Sequence, residues 1–139
     1  MKLSARNQIK GTITNINEGA VNGIVTLEFA EEKITGTISM AAVKELGLTP
    51  GTKAVAVIKA TEVMVGIGEM TLSARNKLSG VITEINEGAV NAIVKIKVAG
   101  ENIISATISL NAVKELSLSV GKEVVAVIKA TSVMFGIEE

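Results

Sequence analysis

The chain repeats itself. Ser4-Ala5-Arg6-Asn7 returns as Ser73-Ala74-Arg75-Asn76, and each copy opens a unit of about 70 residues. The same landmarks then follow in the same order. Ile16–Asn22 recurs unchanged as Ile85–Asn91, Ala42–Leu46 as Ala112–Leu116, and Val55–Thr61 as Val125–Thr131. The offset between copies is 69 residues at Ser4 and 70 at Ile38. One residue therefore entered the second copy between Ala99 and Ile108, where a turn is expected. Two copies of this length do not make a solenoid, whose repeats are shorter and more numerous. They make two small domains, residues 1–68 and 69–139.

Units of this size bury only about 60% of the surface their unfolded chains expose. No cysteine is present to staple them or to supply a thiolate. Yet 47% of residues are hydrophobic, with Phe29 and Phe135 the sole aromatics. Together these imply that the missing burial comes from subunit contacts in a homo-oligomer. Fourteen basic and fourteen acidic residues give a formal net charge of 0, whereas a nucleic-acid binder carries a basic face. No apolar run nears the roughly 18 residues of a membrane span. Met1-Lys2-Leu3 leads into polar residues, not into a signal-peptide core. The expectation is a soluble cytoplasmic chain without a nucleic-acid or membrane partner.

Ile9, Gly11 and Ile13 alternate with Lys10, Thr12 and Thr14, the period of a half-buried strand. The alternation slips at Asn15-Ile16, which implies a bulge or strand end. Glu18-Gly19 signals a turn. Gly23, Val25, Leu27 and Phe29 mark a second strand, and Ile34 to Ile38 a third. Ser39 stands where a helix N-cap belongs. Met40–Leu46 is the helical stretch, and Gly47 suits the left-handed residue that ends it. The second copy keeps the cap as Ser109 but has Ser117 in place of Gly47, a weaker stop. Lys53–Lys59 and Val63–Ile67 complete the unit. The order β-β-β-α-β-β predicts a mainly-β fold of two OB-like small barrels, each with one short helix. Gly66–Thr71 reads as a short linker, so the halves should pack closely.

There is no histidine, no GxGxxG and no Walker pattern, and the acids are scattered. Neither catalysis, a catalytic cofactor nor a transition-metal cation site is expected. Two features persist in both copies while neighbours drift, Gln8 to Lys77 and Thr26 to Lys95. The Ser-Ala-Arg-Asn entry sets a hydroxyl, a small residue, a guanidinium and an amide in a row. Successive N–H groups there could form an anion-binding concavity; the same residues also read as a plain polar turn. Lys59 and Lys129 each end an apolar strand beside Ala-Thr, and a lysine there is equally a gatekeeper against edge aggregation. If both features are functional, hydroxyls, N–H groups and a cation describe a site for a small tetrahedral dianion.

These residues resemble the Mop, or molybdenum-pterin-binding, domain of the molbindins. The resemblance rests on Ser4 to Gln8, Gly11, Glu18 to Asn22, Val43 to Leu48 and Ile58 to Met64, and it extends over both halves. Two tandem units look like the two-Mop molbindins, which bind molybdate and tungstate in the cytoplasm. The resemblance implies oxyanion storage or homeostasis by a homotrimer of two-domain chains, with ligands held between subunits. Carried over by position, the principal site takes Ser4, Ala5, Arg6 and Asn7 from one unit, with Lys59, Ala60 and Thr61 from a neighbour. Its counterpart takes Ser73, Ala74, Arg75, Asn76, Lys129, Ala130 and Thr131. Backbone N–H near Ala42 and Ala112 is a further contributor. A second class of site, near the symmetry axis, falls at Gly19, Ala20, Val21 and Asn22 and at Gly88, Ala89, Val90 and Asn91. The competing expectations are an OB-type nucleic-acid-binding module, which would need stacking aromatics, and a structural oligomerisation domain without ligand.

Overall fold

The structure is a computed structural model describing residues 2–5, 7–69, 71–74 and 76–138. The first unit forms β1 (Asn7–Glu18), β2 (Asn22–Phe29), β3 (Glu32–Ser39), α1 (Met40–Leu46), β4 (Lys53–Ile58) and β5 (Met64–Gly66). A 3-10 turn at Ala60–Glu62 separates the last two strands. The second unit repeats this as β6 (Asn76–Glu87), β7 (Asn91–Lys97), β8 (Ile103–Ser109), α2 (Leu110–Glu115), β9 (Glu123–Ile128) and β10 (Met134–Gly136). Its 3-10 turn is Ala130–Ser132. The extra residue enlarges the turn between β7 and β8, at Ala99–Glu101.

The slip in alternation is a β-bulge. Register shifts between Ile13 and Asn15 in β1 and between Ile82 and Glu84 in β6. A bulge bends its strand and increases the local twist. Each long strand therefore serves two neighbours: Asn7 to Thr12 pairs with β4, and Thr12 to Glu18 pairs with β2. This sharing curls each sheet into the expected OB-like half-barrel.

The last strand departs from the simple expectation that each unit closes its own barrel. The sheets run β10-β4-β1-β2-β3 and β5-β9-β6-β7-β8, so each takes its fifth strand from the other unit. Phe135 of β10 lies opposite Ala56 of β4, and Val65 of β5 lies opposite Ala126 of β9. Side-chain volume explains the choice. A Cβ on Gly36 of β3 would sit 2.6 Å from the Phe135 ring. The second unit has the fully buried Ala106 at the position of Gly36, on β8, against which β5 packs with the smaller Val65. Unexchanged, Phe135 would collide with Ala106, and Val65 would leave a void over Gly36. Ile13, Leu27 and Ile34 consequently share one continuous core with Ile82, Ile96 and Ile104.

Both helices start alike: Ser39 Oγ accepts from Ala42 N–H and Ser109 Oγ from Ala112 N–H, each at 3.1 Å. They end differently. Gly47 closes α1 at φ 63. Ser117 takes the same left-handed conformation at φ 52, where a Cβ costs about 1 kcal/mol. The weaker stop holds because Lys122 Nζ donates to the carbonyls of Leu116 and Ser117, at 2.9 and 3.1 Å, a cation on the last carbonyls of a helix.

Two outcomes follow for unfolding experiments. Ser117→Gly should stabilise the protein by roughly 0.5–1 kcal/mol in a denaturant titration. Gly36→Ala should destabilise it by about 1–3 kcal/mol through overpacking, and adding Phe135→Val, which recreates the pairing of the second unit, should recover most of the loss. Equal stability of Gly36→Ala and wild type would remove the size-matching account of the exchange.

Candidate functional site

Asn7 opens β1 and pairs in register with Ile58, which ends β4. The chain entering β1 and the chain leaving β4 therefore emerge side by side. That geometry brings Ser4 and Ala5 to Lys59, Ala60 and Thr61 around an open pocket of about 580 Å³. The two segments come from the same unit of one chain, where the resemblance implied neighbouring units. The opposite wall belongs to the other unit: Thr107 of β8 and Met134, Phe135 and Gly136 of β10. Ser4, Lys59 and Thr61 are exposed, Ala5 is half-buried and Ala60 is buried. The 3-10 turn bonds Glu62 N–H to Lys59 O and Val63 N–H to Ala60 O. Its i→i+3 pattern does not use the N–H groups of Ala60 and Thr61. A lysine and three hydroxyl-bearing residues, Ser4, Thr61 and Thr107, thus line one space beside this turn, residue types suited to an anion.

Asn7 itself does not point into that space. It is 1% exposed. Its Nδ2 donates to Ser105 O at 2.9 Å, and its Oδ1 accepts from Ser105 N–H at 2.7 Å. Asn76, 2% exposed, treats Thr35 in the same way, with both bonds at 2.8 Å. Both carboxamides are occupied by the backbone of the opposite unit.

The second copy follows the first. Asn76 pairs with Ile128, so Ser73 and Ala74 approach the turn where Lys129 and Thr131 are exposed and Ala130 is buried. Arg6 and Arg75 lie outside the described residues. The turns Gly19–Asn22 and Gly88–Asn91 are exposed and contribute nothing to the pocket. Each is closed by one backbone bond, Gly19 N–H to Asn22 O at 2.9 Å and Gly88 N–H to Asn91 O at 2.8 Å. The N–H groups of Ala42 and Ala112, expected as contributors, are instead taken by the serine caps.

Thr107, Met134 and Phe135 were not legible as pocket residues, because Met134 and Phe135 reach the site through strand exchange and Thr107 through the packing of β8 against the first unit's 3-10 turn. The signal available was the paired size change between copies, Gly36 to Ala106 and Phe135 to Val65. Two carboxyls are held below their ordinary range, Glu84 by Asn86 and Lys95 and Glu138 by Lys10; neither lines this pocket. Among the described residues, no group of three or more acids could hold a metal cation, and no helix is long and apolar enough to cross a membrane.

The TOBE domain family matches residues 3–65 and 72–135. A probable molybdenum-pterin-binding protein of Haemophilus influenzae is 59% identical over 69 residues, which is 50% of this chain and 100% of that protein. The molybdenum transport protein ModE of Herbaspirillum seropedicae is 35% identical over 142 residues, covering 100% of this chain and 53% of that protein. This chain thus spans about half the length of ModE. Among solved structures, the cytoplasmic molybdate-binding protein ModG with molybdate bound superposes with a TM-score of 0.96 and 38% identity, over 99% of this chain and 100% of that one. Both repeats are matched over nearly their whole length, and the chain belongs to the TOBE domain family as a tandem pair of Mop-type units of the molybdenum-pterin-binding proteins.

Proposed function

We propose that this chain binds molybdate, or tungstate, and holds it for storage and homeostasis in the cytoplasm. The observation that carries this reading is the convergence of Ser4, Ala5, Lys59, Ala60 and Thr61 on one pocket. The likeness to ModG supports the choice of oxyanion. Hydroxyls, backbone N–H groups and a lysine surround a tetrahedral dianion with donors and offer it no base; Arg6 and Arg75 complete the charge. Local charge-assisted bonds do this in a chain of zero net charge, because they act at short range. Binding, not catalysis, is the activity of this site.

The assembly proposed is a homotrimer of two-unit chains, with residues 1–68 and 69–139 as the repeated units and oxyanions also held at subunit contacts. Val21 and Val90, each 74% exposed at the tips of equivalent turns, are apolar surface that such contacts would cover. The turns Gly19–Asn22 and Gly88–Asn91 are then the second class of site. A chain that sediments as a monomer at micromolar concentration would remove the trimer.

The lysines give the direct test. Lys59→Met removes the charge and keeps the stem. Loss of one charge-assisted bond should weaken molybdate binding by about 1.5–3 kcal/mol, roughly ten- to hundredfold, and Lys129→Met should do the same at the equivalent site. Unchanged affinity in the double variant, with increased light scattering, would make both lysines gatekeepers. Sulfate should bind much more weakly than molybdate, since fixed donors cannot close around a smaller ion without strain. Equal calorimetric affinities for the two anions would contradict a site shaped for molybdate.

A further inference from the structure

The clamps made by Asn7 and Asn76 stand at an unusual place. β3 and β8 are outermost strands of their sheets, and an outermost strand leaves a row of N–H and C=O groups unpaired. Asn7 fills that gap on Ser105, and Asn76 fills it on Thr35, each carboxamide meeting the N–H and the C=O of a single residue. Each side chain thus acts as one residue of a missing neighbouring strand. Its donor and acceptor are both engaged.

Asn7 also sits at the root of both site segments. Ser4-Ala5-Arg6 runs directly into it, and its register partner Ile58 runs directly into Lys59. Two residues along β8 from Ser105 stands Thr107, on the far wall of the pocket. One pair of hydrogen bonds therefore ties the near wall to the far wall. We propose that Asn7 and Asn76 are positioning residues, not ligands: each fixes the oxyanion pocket of its own unit against the outer strand of the other, so that neither unit holds a complete site alone. This rests on the oxyanion reading of the pocket and adds to it a division of labour within Ser-Ala-Arg-Asn. Ser4 and Ala5 line the pocket, and the asparagine sets the distance.

The test uses the full chain and approaches the clamp from both sides. Asn7→Ala removes the carboxamide. Ser105→Pro removes the N–H that Asn7 Oδ1 accepts, on an outer strand where proline is tolerated and at a residue outside the pocket. In calorimetric titrations with molybdate, either variant should weaken half of the pocket sites by about ten- to hundredfold, the range for lost supporting contacts. The remaining half should keep wild-type affinity. The double variant should be no weaker than the singles, because both changes break one clamp. Asn76→Ala and Thr35→Pro should do the same to the complementary half. A lower melting temperature with every site at wild-type affinity would make the clamp purely structural and overturn the proposal.

Should these variants not fold, the wild type decides by linkage: if opening the clamp weakens binding, then binding must oppose opening. Saturating molybdate should slow hydrogen exchange at the Ser105 and Thr35 amides, and unchanged exchange overturns the proposal. A wild-type chain that binds no molybdate fells the oxyanion reading itself. Binding by the wild type with indifferent variants fells the clamp alone.

Discussion

Everything in this molecule depends on the exchange of the fifth strand. β4 and β9 each present an edge that their own unit does not cover, and each is covered by a three-residue strand from the other. The opposite edges are treated alike. β3 meets the 3-10 turn and the asparagine of the second unit, and β8 meets those of the first. An uncovered edge invites pairing with a foreign strand, and a unit of this size has little core with which to resist. Mutual covering addresses both problems at once: it leaves one continuous core and no free-standing half.

The candidate site is a product of the same interlock. Its near wall is set by the pairing of β1 with β4, and its far wall consists of strands belonging to the other unit. Donors with no neighbouring base suit an ion that is already deprotonated, and such a site needs no histidine or cysteine. The lysines are exposed in the single chain, so they are not stranded as buried, unpaired charges when no anion is bound.

Fusing the two units in one chain has let equivalent positions diverge in complementary pairs. Gly36 faces Phe135, while Ala106 takes the place of that glycine and Val65 that of the phenylalanine. Gly47 became Ser117, and Lys122 supplies the missing cap. Glu62 and Ser132 hold equivalent positions and meet each other at 3.1 Å, hydroxyl to carboxylate; two glutamates there would set like charges together. A symmetric pair of identical chains has no such freedom, because each change would appear twice.

The repeat, the strand periods, the bulge near Asn15, the serine caps and the helix bounded by Gly47 were all legible in the residues. Each is a local property, set by alternation, by φ preference or by a side chain reaching its own backbone. Ser4-Ala5 and Lys59-Ala60-Thr61, which the fold brings to one pocket, stood out as candidates in the residues because both segments persist through the duplication. What the residues could not disclose was partnership. Whether β5 closes its own sheet or the other one leaves its local pattern unchanged, since the backbone bonds are equivalent either way. That choice rests on side-chain volume across a distant contact, Phe135 over Gly36. For the same reason Asn7 reads locally as a member of a polar binding motif. Only the approach of Ser105, 98 residues away, gives its carboxamide a buried partner and takes it out of the pocket.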